Sequence, residues 1–282
     1  MSMAPRTDNF SEVFALIPES EDPKQISVDG VPYILHEDHR WVLPIVQHAQ
    51  AKGLLPKPCT VVIFDWHHDT VPPYQSAADE LKKLRTAPTI EGIITLCAKR
   101  LRSIDDDWLK AGMELGVFGD AVIFGVDDWE EAASYKDHVG NRHRIEFCAL
   151  PKSALSERGQ LSDLIRRDDF GSMWETLGWN AAGRIPGFTP GLPKIFLTID
   201  LDCFAIPWRD YTFTWPDAIF ESEFRSKARR DCWTGASFLQ ELASKAGLVT
   251  IAREAGCCGG RENAETILAK LIHYGFDDRF TF

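Results

Sequence analysis

The chain has 282 residues, of which 44% are hydrophobic and 26% are charged, and its formal net charge is −11. This is the composition of an ordinary globular protein with a large buried core, and its acidity argues against a nucleic-acid partner, because phosphates require a basic surface. The first nine residues lack an apolar core and no apolar run approaches the ~20 residues of a membrane helix, so we expect no signal peptide and no membrane span.

The first half of the chain alternates apolar strands with helices after an N-terminal tail at residues 1–24. An Asp-Gly turn between two apolar runs is a strong hairpin signal. The predicted elements are, in chain order, a hairpin of 25–28 and 31–35, a helix over 40–52, a strand over 59–65, helices within 76–116 and a strand over 121–126.

The second half continues this alternation. The predicted elements are a strand over 144–150, short helices and a Gly/Pro-rich connection over 151–193, a strand over 194–200, an aromatic loop over 203–217, a helix over 235–246, a strand over 248–253 and a helix over 261–274. Strands and helices that alternate at this spacing predict a three-layer α/β/α fold with a mostly parallel central sheet. No linker divides the chain, so we expect one domain over residues 1–282.

Three clusters of metal-ligand side chains follow predicted strands. In mostly parallel sheets, ligands bind beyond the carboxyl ends of the strands, which is where these clusters fall. Their members are His39 after the first apolar pair, Asp65, His67 and Asp69 after the strand over 59–65, and Asp200 and Asp202 at the end of the strand over 194–200.

The spacing of the central cluster predicts that its members converge. An extended backbone alternates its side chains, so Asp65, His67 and Asp69 should point one way while Trp66 and His68 point the other. Burying carboxylates costs several kcal/mol each unless a cation compensates, and a pair of divalent ions is the simplest compensation. Carboxylates with some imidazole suit Mn²⁺ best, and Zn²⁺, Fe²⁺ and Co²⁺ are also compatible.

The order of a His, an Asp-X-His-X-Asp and an Asp-X-Asp resembles the arginase–deacetylase (ureohydrolase) superfamily, whose dinuclear manganese site uses these three motifs. The resemblance implies an arginase-like α/β fold. It also implies that both metals are bridged by Asp65 and Asp200, that His39 and Asp69 complete one site, and that His67 and Asp202 complete the other. A homo-oligomer is suggested by the same analogy alone.

The chain departs from the family in two places. Residues 36–38 are His-Glu-Asp where arginases usually have glycines, and residues 203–205 are Cys-Phe-Ala where the family normally continues to Asp-Pro. These differences concern the substrate pocket more than the metal site. Deacetylase members hold one zinc ion and lack several of these ligands, whereas all six are present here, which favours two metals.

The resemblance implies a binuclear metal-dependent hydrolase that cleaves a non-peptide carbon–nitrogen bond. The substrate would be a small guanidino, amidino or amide compound, attacked by a hydroxide that bridges the metals. Asp69 would move the proton to the leaving amine. Two alternatives are a non-catalytic metal-binding or scaffold protein of the same fold, and a dinuclear phosphoesterase, although the Gly-Asn-His and Gly-His-X-His segments of such enzymes are missing.

Two further catalytic candidates each have two interpretations. Glu254 follows the last strand, where an arginase-like enzyme contacts a cationic substrate, but it is equally interpreted as a capping or salt-bridged carboxylate beside Arg253. His68 either shuttles protons, since its reference pKa lies near neutrality, or packs away from the metals. The aromatic loop either forms a pocket rim or a local cluster; its residues are Trp208, Arg209, Tyr211, Phe213 and Trp215.

The seven cysteines are odd in number and scattered, which indicates reduced thiols in a cytoplasmic protein. Cys257 and Cys258 are adjacent and cannot easily form an unstrained mutual disulfide. The glycines around them, in the loop over 256–260, either admit substrate closely or only form a turn.

Overall fold

The computed structural model describes residues 10–101, 107–125, 133–148, 194–208, 210–225 and 234–282. Ten strands lie within these ranges, and eight of them form the main sheet. The strands are β1 (Lys24–Val28), β2 (Val31–His36), β3 (Cys59–Phe64), β4 (Phe118–Phe124), β5 (Ala133–Lys136), β6 (Arg142–Cys148), β7 (Ile195–Asp200), β8 (Ala205–Trp208), β9 (Tyr211–Thr214) and β10 (Ala246–Ala252).

The main sheet has the strand order β1-β2-β10-β7-β3-β4-β6-β5. The six inner strands, from β2 to β6 in this order, are parallel, and each outer strand is antiparallel to its neighbour. The strands β2, β10, β7 and β3 therefore end side by side at one edge of the sheet. This is the edge to which the predicted ligand clusters belong.

Helices cover both faces of the sheet. They are α1 (Ser11–Phe14), α2 (Val42–Ala51), α3 (Gln75–Thr86), α4 (Ile90–Lys99), α5 (Trp108–Glu114), α6 (Asp217–Arg225), α7 (Gly235–Lys245) and α8 (Arg261–Lys270). None of these helices in the described ranges is both long enough and apolar enough to cross a membrane.

The strand β3 shows how the two faces form. Val62 and Phe64 point into the core cluster shared with α6, α7 and α8. Val61 and Ile63 point into the second cluster, shared with α1 to α5. Five of the six side chains of this strand are buried in one or the other apolar layer, which explains its nearly continuous apolar sequence. The predicted α/β class, with a mostly parallel central sheet between two helical layers, is confirmed.

The N-terminal segment and the aromatic loop differ from the sequence prediction. From residue 10 onward the expected tail is packed, because Phe10 and Val13 are buried in the core cluster that also contains α2. The expected loop over 203–217 contains the antiparallel hairpin of β8 and β9. Short apolar anchors within polar stretches, and strands of four residues, carry too little periodicity to be recognised from sequence. The predicted elements over 151–193 lie outside the described residues.

Glu21 generates a prediction about pH. This buried residue accepts a hydrogen bond from the backbone N–H of Asp38 at 2.8 Å, and burial raises the pKa of its carboxyl from 4.5 to about 7. The folded state therefore binds more protons than the unfolded state between these two values, and its stability falls as pH rises through them. At pH 8 the ionised Glu21 should lower the free energy of unfolding by on the order of 1–3 kcal/mol. We expect Glu21→Gln, which keeps a hydrogen-bond acceptor but cannot ionise, to remove this loss.

Thermal unfolding from pH 5 to pH 8 measures this effect as the difference between the variant and the unmodified chain. The exposed neighbour Glu19 provides the matched control, Glu19→Gln, for which the difference should not change with pH. A Glu21→Gln difference that is equal at both pH values would show that the pKa of this carboxyl is the same in the folded and unfolded states.

Candidate metal centre

The six predicted ligands meet at the carboxyl ends of β2, β7 and β3, which lie within the run β2-β10-β7-β3 of the sheet. His39 lies in a short helical turn after β2, Asp65 directly follows β3, and Asp200 is the last residue of β7. The central position of β7 in the sheet, between β10 and β3, brings these chain ends together. The remaining ligands, His67, Asp69 and Asp202, lie in the loops that follow β3 and β7.

His39 is the centre of an inner group of buried side chains. Its Nδ1 atom lies 2.9 Å from Asp65 Oδ2, 3.2 Å from Asp69 Oδ2 and 3.5 Å from Asp200 Oδ2. All four residues are almost completely buried. One imidazole nitrogen and three carboxylate oxygens thus face a common point that water scarcely reaches.

His67 and Asp202 form an outer group beside the inner one. His67 Nδ1 lies 3.0 Å from Asp202 Oδ2 and 3.7 Å from Asp65 Oδ1. Asp65 therefore presents one oxygen to His39 and the other to His67, and it joins the two groups. The His67 side chain is 42% exposed, so the outer group, unlike the inner one, opens to the surface.

The backbone that presents these ligands is not extended, so Asp65, His67 and Asp69 converge as predicted but not by the alternation of an extended strand. The N–H of His67 turns back to donate to Asp65 Oδ1 at 2.6 Å, and Asp69 has a left-handed φ of 49°. In the same way, the N–H of Asp202 donates to Asp200 Oδ1 at 2.9 Å within a helical turn. Aspartate side chains that accept from the backbone two residues on favour such turns.

The loops after β3 and β7 are also bonded to each other. The N–H of Trp66 donates to Asp202 Oδ1 at 3.0 Å. Beside them, Gly125 has a φ of 113°, and a Cβ atom at this position would lie 2.2 Å from the backbone oxygen of Asp65. Only glycine permits this close approach, which lets β4 end directly against the first ligand of the loop.

Within the described residues, His39 Nδ1, Asp65 Oδ2 and Asp200 Oδ2 are buried ligand atoms without a well-aligned hydrogen bond, although the imidazole nitrogen lies 2.9 and 3.5 Å from the two carboxylate oxygens. Burial and the neighbouring carboxylates raise the pKa of Asp65 and Asp200 well above the ordinary range, and burial with the charge of Glu254 does the same for Asp69. Buried polar atoms are normally satisfied, and like charges normally separate. A divalent cation would coordinate the unsatisfied atoms and reduce the repulsion between the carboxylates, so this donor set fits a metal ion.

Three residues that the sequence analysis missed, Thr198, Thr250 and Trp108, hold His39 and Asp69. His39 Nε2 lies 2.8 Å from Thr198 Oγ1, which accepts from Thr250 Oγ1 at 2.8 Å. The Trp108 indole N–H donates to Asp69 Oδ2, and its ring lies 4.7 Å from the ring of His39. Thr198 and Thr250 are polar residues inside apolar strands, which is the sequence signal that identifies them.

Glu254 belongs to this centre. It directly follows β10, has a φ of 37°, and its Oε1 accepts from the N–H of His39 at 3.2 Å. It also forms a potential ligand group with His39 and Asp200. Arg253, its neighbour, is buried and donates to Glu37 Oε2 at 3.0 Å, while the N–H of Ala255 donates to Glu37 Oε1. This network fixes the backbone on both sides of Glu254.

His68 is placed apart from the ligand groups. Its Nδ1 lies 3.1 Å from Thr70 Oγ1, and it belongs to none of the ligand groups that the described residues form. The hydrogen bond agrees with the interpretation of His68 as a residue packed beside the centre. Asp127 and Asp128, which the sequence places after β4, lie outside the described residues.

A cavity of about 270 Å³ opens beside the outer group. Its lining includes Trp66, His67, Asp202, Pro207, Thr212 and Cys257. Pro207 pairs with Thr212 across the hairpin, so both belong to one face, while Tyr211 and Phe213 belong to the other face and are 68% and 48% exposed. Among the described side chains of the predicted aromatic rim, none lines this cavity. Trp215 is buried in the core cluster that contains α6.

Comparison with models of known protein families finds no match, and comparison with curated proteins finds none either. The buried histidine and aspartate groups define a class of site, a candidate metal centre at the carboxyl edge of an α/β sheet.

Metal binding predicts a change in thermal stability. An ion present at about 100 times its dissociation constant should stabilise the unmodified chain by about 2.7 kcal/mol, or roughly 5–10 °C. Asp65→Asn keeps the acceptor for the His67 N–H but removes one charge. We expect the metal-free variant to unfold at a higher temperature than the metal-free unmodified chain, because repulsion is relieved, and Mn²⁺ to stabilise it far less.

Thermal scans with Mn²⁺ and with a chelator measure both effects. Asp79 is an exposed aspartate of α3, so Asp79→Asn is the matched control and should behave like the unmodified chain. Equal Mn²⁺ stabilisation of Asp65→Asn and the control would contradict a metal site at Asp65.

Removal of the Thr198 hydroxyl, which contacts His39, should lower the affinity of the centre for a metal ion. An outer hydrogen bond fixes the tautomer and orientation of a ligating imidazole, and its loss typically costs about 10–100-fold in affinity. We expect Thr198→Val to weaken Mn²⁺ binding by this factor and Thr198→Ser, which keeps the hydroxyl, to restore it. Calorimetric titration measures the constants; identical affinities for the Val and Ser variants would show that the hydroxyl has no such role.

Proposed function

We propose that this protein is a binuclear metal-dependent hydrolase of the ureohydrolase type, which cleaves a non-peptide carbon–nitrogen bond in a small guanidino, amidino or amide substrate. The observation that carries the proposal is the convergence of all six predicted ligands, which are far apart in sequence, around buried donor atoms without well-aligned hydrogen bonds. The three motifs that resemble the arginase–deacetylase superfamily thus meet at one place, as that resemblance requires.

The ligands divide between two positions. The inner position takes His39 and Asp69, and the outer position takes His67 and Asp202. Asp65 faces both groups with different oxygens, which supports its assignment as a bridge. Asp200 reaches the inner group with Oδ2 and holds the N–H of Asp202 with Oδ1, so it links both positions through its own two oxygens. A pair of divalent ions would supply Lewis acidity and an activated water when bound, and Mn²⁺ suits the oxygen-rich inner position best.

Asp69 is the residue placed to carry a proton. Trp108 holds one of its oxygens by the indole N–H and so fixes the orientation of the carboxylate. The second oxygen then remains for a proton that moves from the attacking water to the leaving nitrogen. His68 directly follows His67 in the sequence, so we retain it as a secondary candidate for proton transfer to solvent.

Glu254 favours a cationic substrate. Five carboxylates lie at the centre: Asp65, Asp69, Asp200, Asp202 and Glu254. Their five negative charges exceed the four positive charges of two divalent ions, so the loaded centre retains negative charge. A protonated guanidino or amidino group is attracted to such a site, whereas the phosphate ester of a phosphoesterase substrate is repelled. This charge balance is the reason for preferring carbon–nitrogen hydrolysis.

The test is turnover of a substrate panel by the metal-replete full chain. The panel contains guanidino, amidino and N-acyl amine compounds together with an aryl phosphate, and released urea, ammonia, amine or phenol is measured. We expect at least one carbon–nitrogen substrate to be hydrolysed, and Asp200→Asn to lower kcat by about 10³-fold or more, because it removes a ligand of the reacting centre.

Asp79→Asn serves again as the control and should leave kcat unchanged. Two bound metal ions without turnover of any panel member would favour the non-catalytic scaffold, and turnover of the aryl phosphate alone would favour the phosphoesterase. For an active cationic substrate, we expect Glu254→Gln to raise KM by more than it lowers kcat. The reason is that the attraction between Glu254 and the substrate is lost in the ground state as well as in the transition state.

A further inference from the structure

Cys257 lines the cavity beside the metal centre and has no part in the function proposed above. Its Sγ atom, a nitrogen of His67 and an oxygen of Asp202 lie within 4.8 Å of one another. The Asp202 carboxylate forms a second group of this size with Asp65 and Asp200, and in both of these residues Oδ2 is buried without a well-aligned hydrogen bond. The thiol therefore lies at the open end of a continuous cluster of ligands.

The loop that carries Cys257 is fixed rather than merely adjacent. The N–H groups of Cys257 and Cys258 both donate to the backbone oxygen of Glu254, at 2.9 and 3.0 Å. At Gly259, which has a φ of 82°, a Cβ atom would lie 2.8 Å from the backbone oxygen of Thr212. The turn is thus held between the end of β10 and the β8–β9 hairpin, whose Pro207 and Thr212 also line the cavity.

The two adjacent cysteines point to different surroundings. Cys258 is buried, and its Sγ donates to the backbone oxygen of Arg253 at 3.3 Å. Cys257 is exposed, whereas Cys59, Cys97 and Cys203, the other cysteines whose side chains the structure describes, are buried. A buried thiol is ordinarily a small apolar side chain, but an accessible thiol beside a histidine and a carboxylate is a metal ligand type.

We propose that Cys257 is a further ligand of the ion held by His67 and Asp202, and that this outer position is therefore selective for a thiophilic divalent ion such as Zn²⁺ or Co²⁺. The donor sets of the two positions differ, since the outer one offers nitrogen, oxygen and sulfur while the inner one, around His39, is rich in oxygen. Thiolate ligands select zinc-like ions, and carboxylate ligands suit Mn²⁺. The centre then holds two different metals.

This inference rests on the proposed function in one respect only, namely that divalent ions bind at the centre. Formation of the sulfur–metal bond converts the neutral Cys257 thiol to a thiolate, and its proton passes to solvent. No oxidant or reductant takes part. The thiolate also adds one negative charge to the outer position, which offsets part of the charge of the second ion.

Cobalt titration of the full chain tests the proposal, because a thiolate bound to Co²⁺ gives a sulfur-to-cobalt charge-transfer band in the near ultraviolet. We expect this band in the unmodified chain and in Cys258→Ser, which retains a donor to Arg253, but not in Cys257→Ser. Competition titrations should show that Cys257→Ser loses more Zn²⁺ affinity than the roughly 10–100-fold that follows from losing an outer-shell partner, with a smaller change for Mn²⁺.

Two outcomes separate this proposal from the proposed function. Binding of two equivalents of Co²⁺ to the unmodified chain without the band would overturn the role of Cys257 and leave the metal centre intact. Failure of the chain to bind any divalent ion would overturn both.

Alkylation of the unmodified chain tests whether Cys257 binds the ion, and it does not require a variant that folds. Peptide mapping after alkylation follows the labelling of Cys257, the accessible thiol, with and without Zn²⁺. We expect saturating Zn²⁺ to slow this labelling at least about tenfold, since the thiolate is then held by the ion. Equal labelling rates would contradict the proposal.

Discussion

Repulsion among five buried carboxylates is the constraint on which the rest of this structure depends. Two unit charges about 4 Å apart interact by about 4 kcal/mol at an effective dielectric constant of 20, and a whole domain is stable by only about 5–15 kcal/mol. Several such pairs are therefore incompatible with an ionised, cation-free centre. The side chains must retain protons, as their raised pKa values indicate, or share cations, which their geometry favours.

The fold meets this constraint by fixing the ligands before any ion arrives. Neighbouring strands in the sheet supply the chain ends, and the surrounding residues limit the freedom of the side chains. The Trp108 indole holds Asp69, the Thr198–Thr250 pair holds His39, and the pair of Arg253 and Glu37 holds the turn that follows β10. A site organised in this way spends little binding energy on ordering its ligands.

Sequence reasoning located the centre because it used a rule of topology, and it failed where side-chain contacts decide the conformation. Apolar runs that end in Asp65 and Asp200 identify strand ends, and the ends of parallel strands share an edge, so their convergence follows from the pattern. The backbone conformation after each strand does not follow from the pattern, since hydrogen bonds from the backbone to Asp65 and Asp200 replace the extended conformation. The supporting threonines become significant only after the register between β7 and β10 is known.

The hairpin of β8 and β9 shows the same limit on a smaller scale. Its aromatic composition indicates neither a pocket rim nor a core, because in a two-stranded ribbon the parity of the register decides which side chains share a face. Once Pro207 is paired with Thr212, Tyr211 is assigned to the opposite face. The wall of the cavity is consequently made by smaller residues and by the Cys257 turn, which leaves room beside the metal centre.

The two ligand groups differ in exposure, because the inner group is buried and the outer group opens to the surface. His39 is completely buried, whereas His67 lies at the cavity with nearly half of its side chain exposed. An ion at the inner position would be enclosed by carboxylates that need a counter-charge for the fold itself, so its binding is coupled to stability. An ion at the outer position would face the cavity, which opens to solvent. Binding at the inner position is thus coupled mainly to the stability of the fold, whereas the outer position is the one accessible from the cavity.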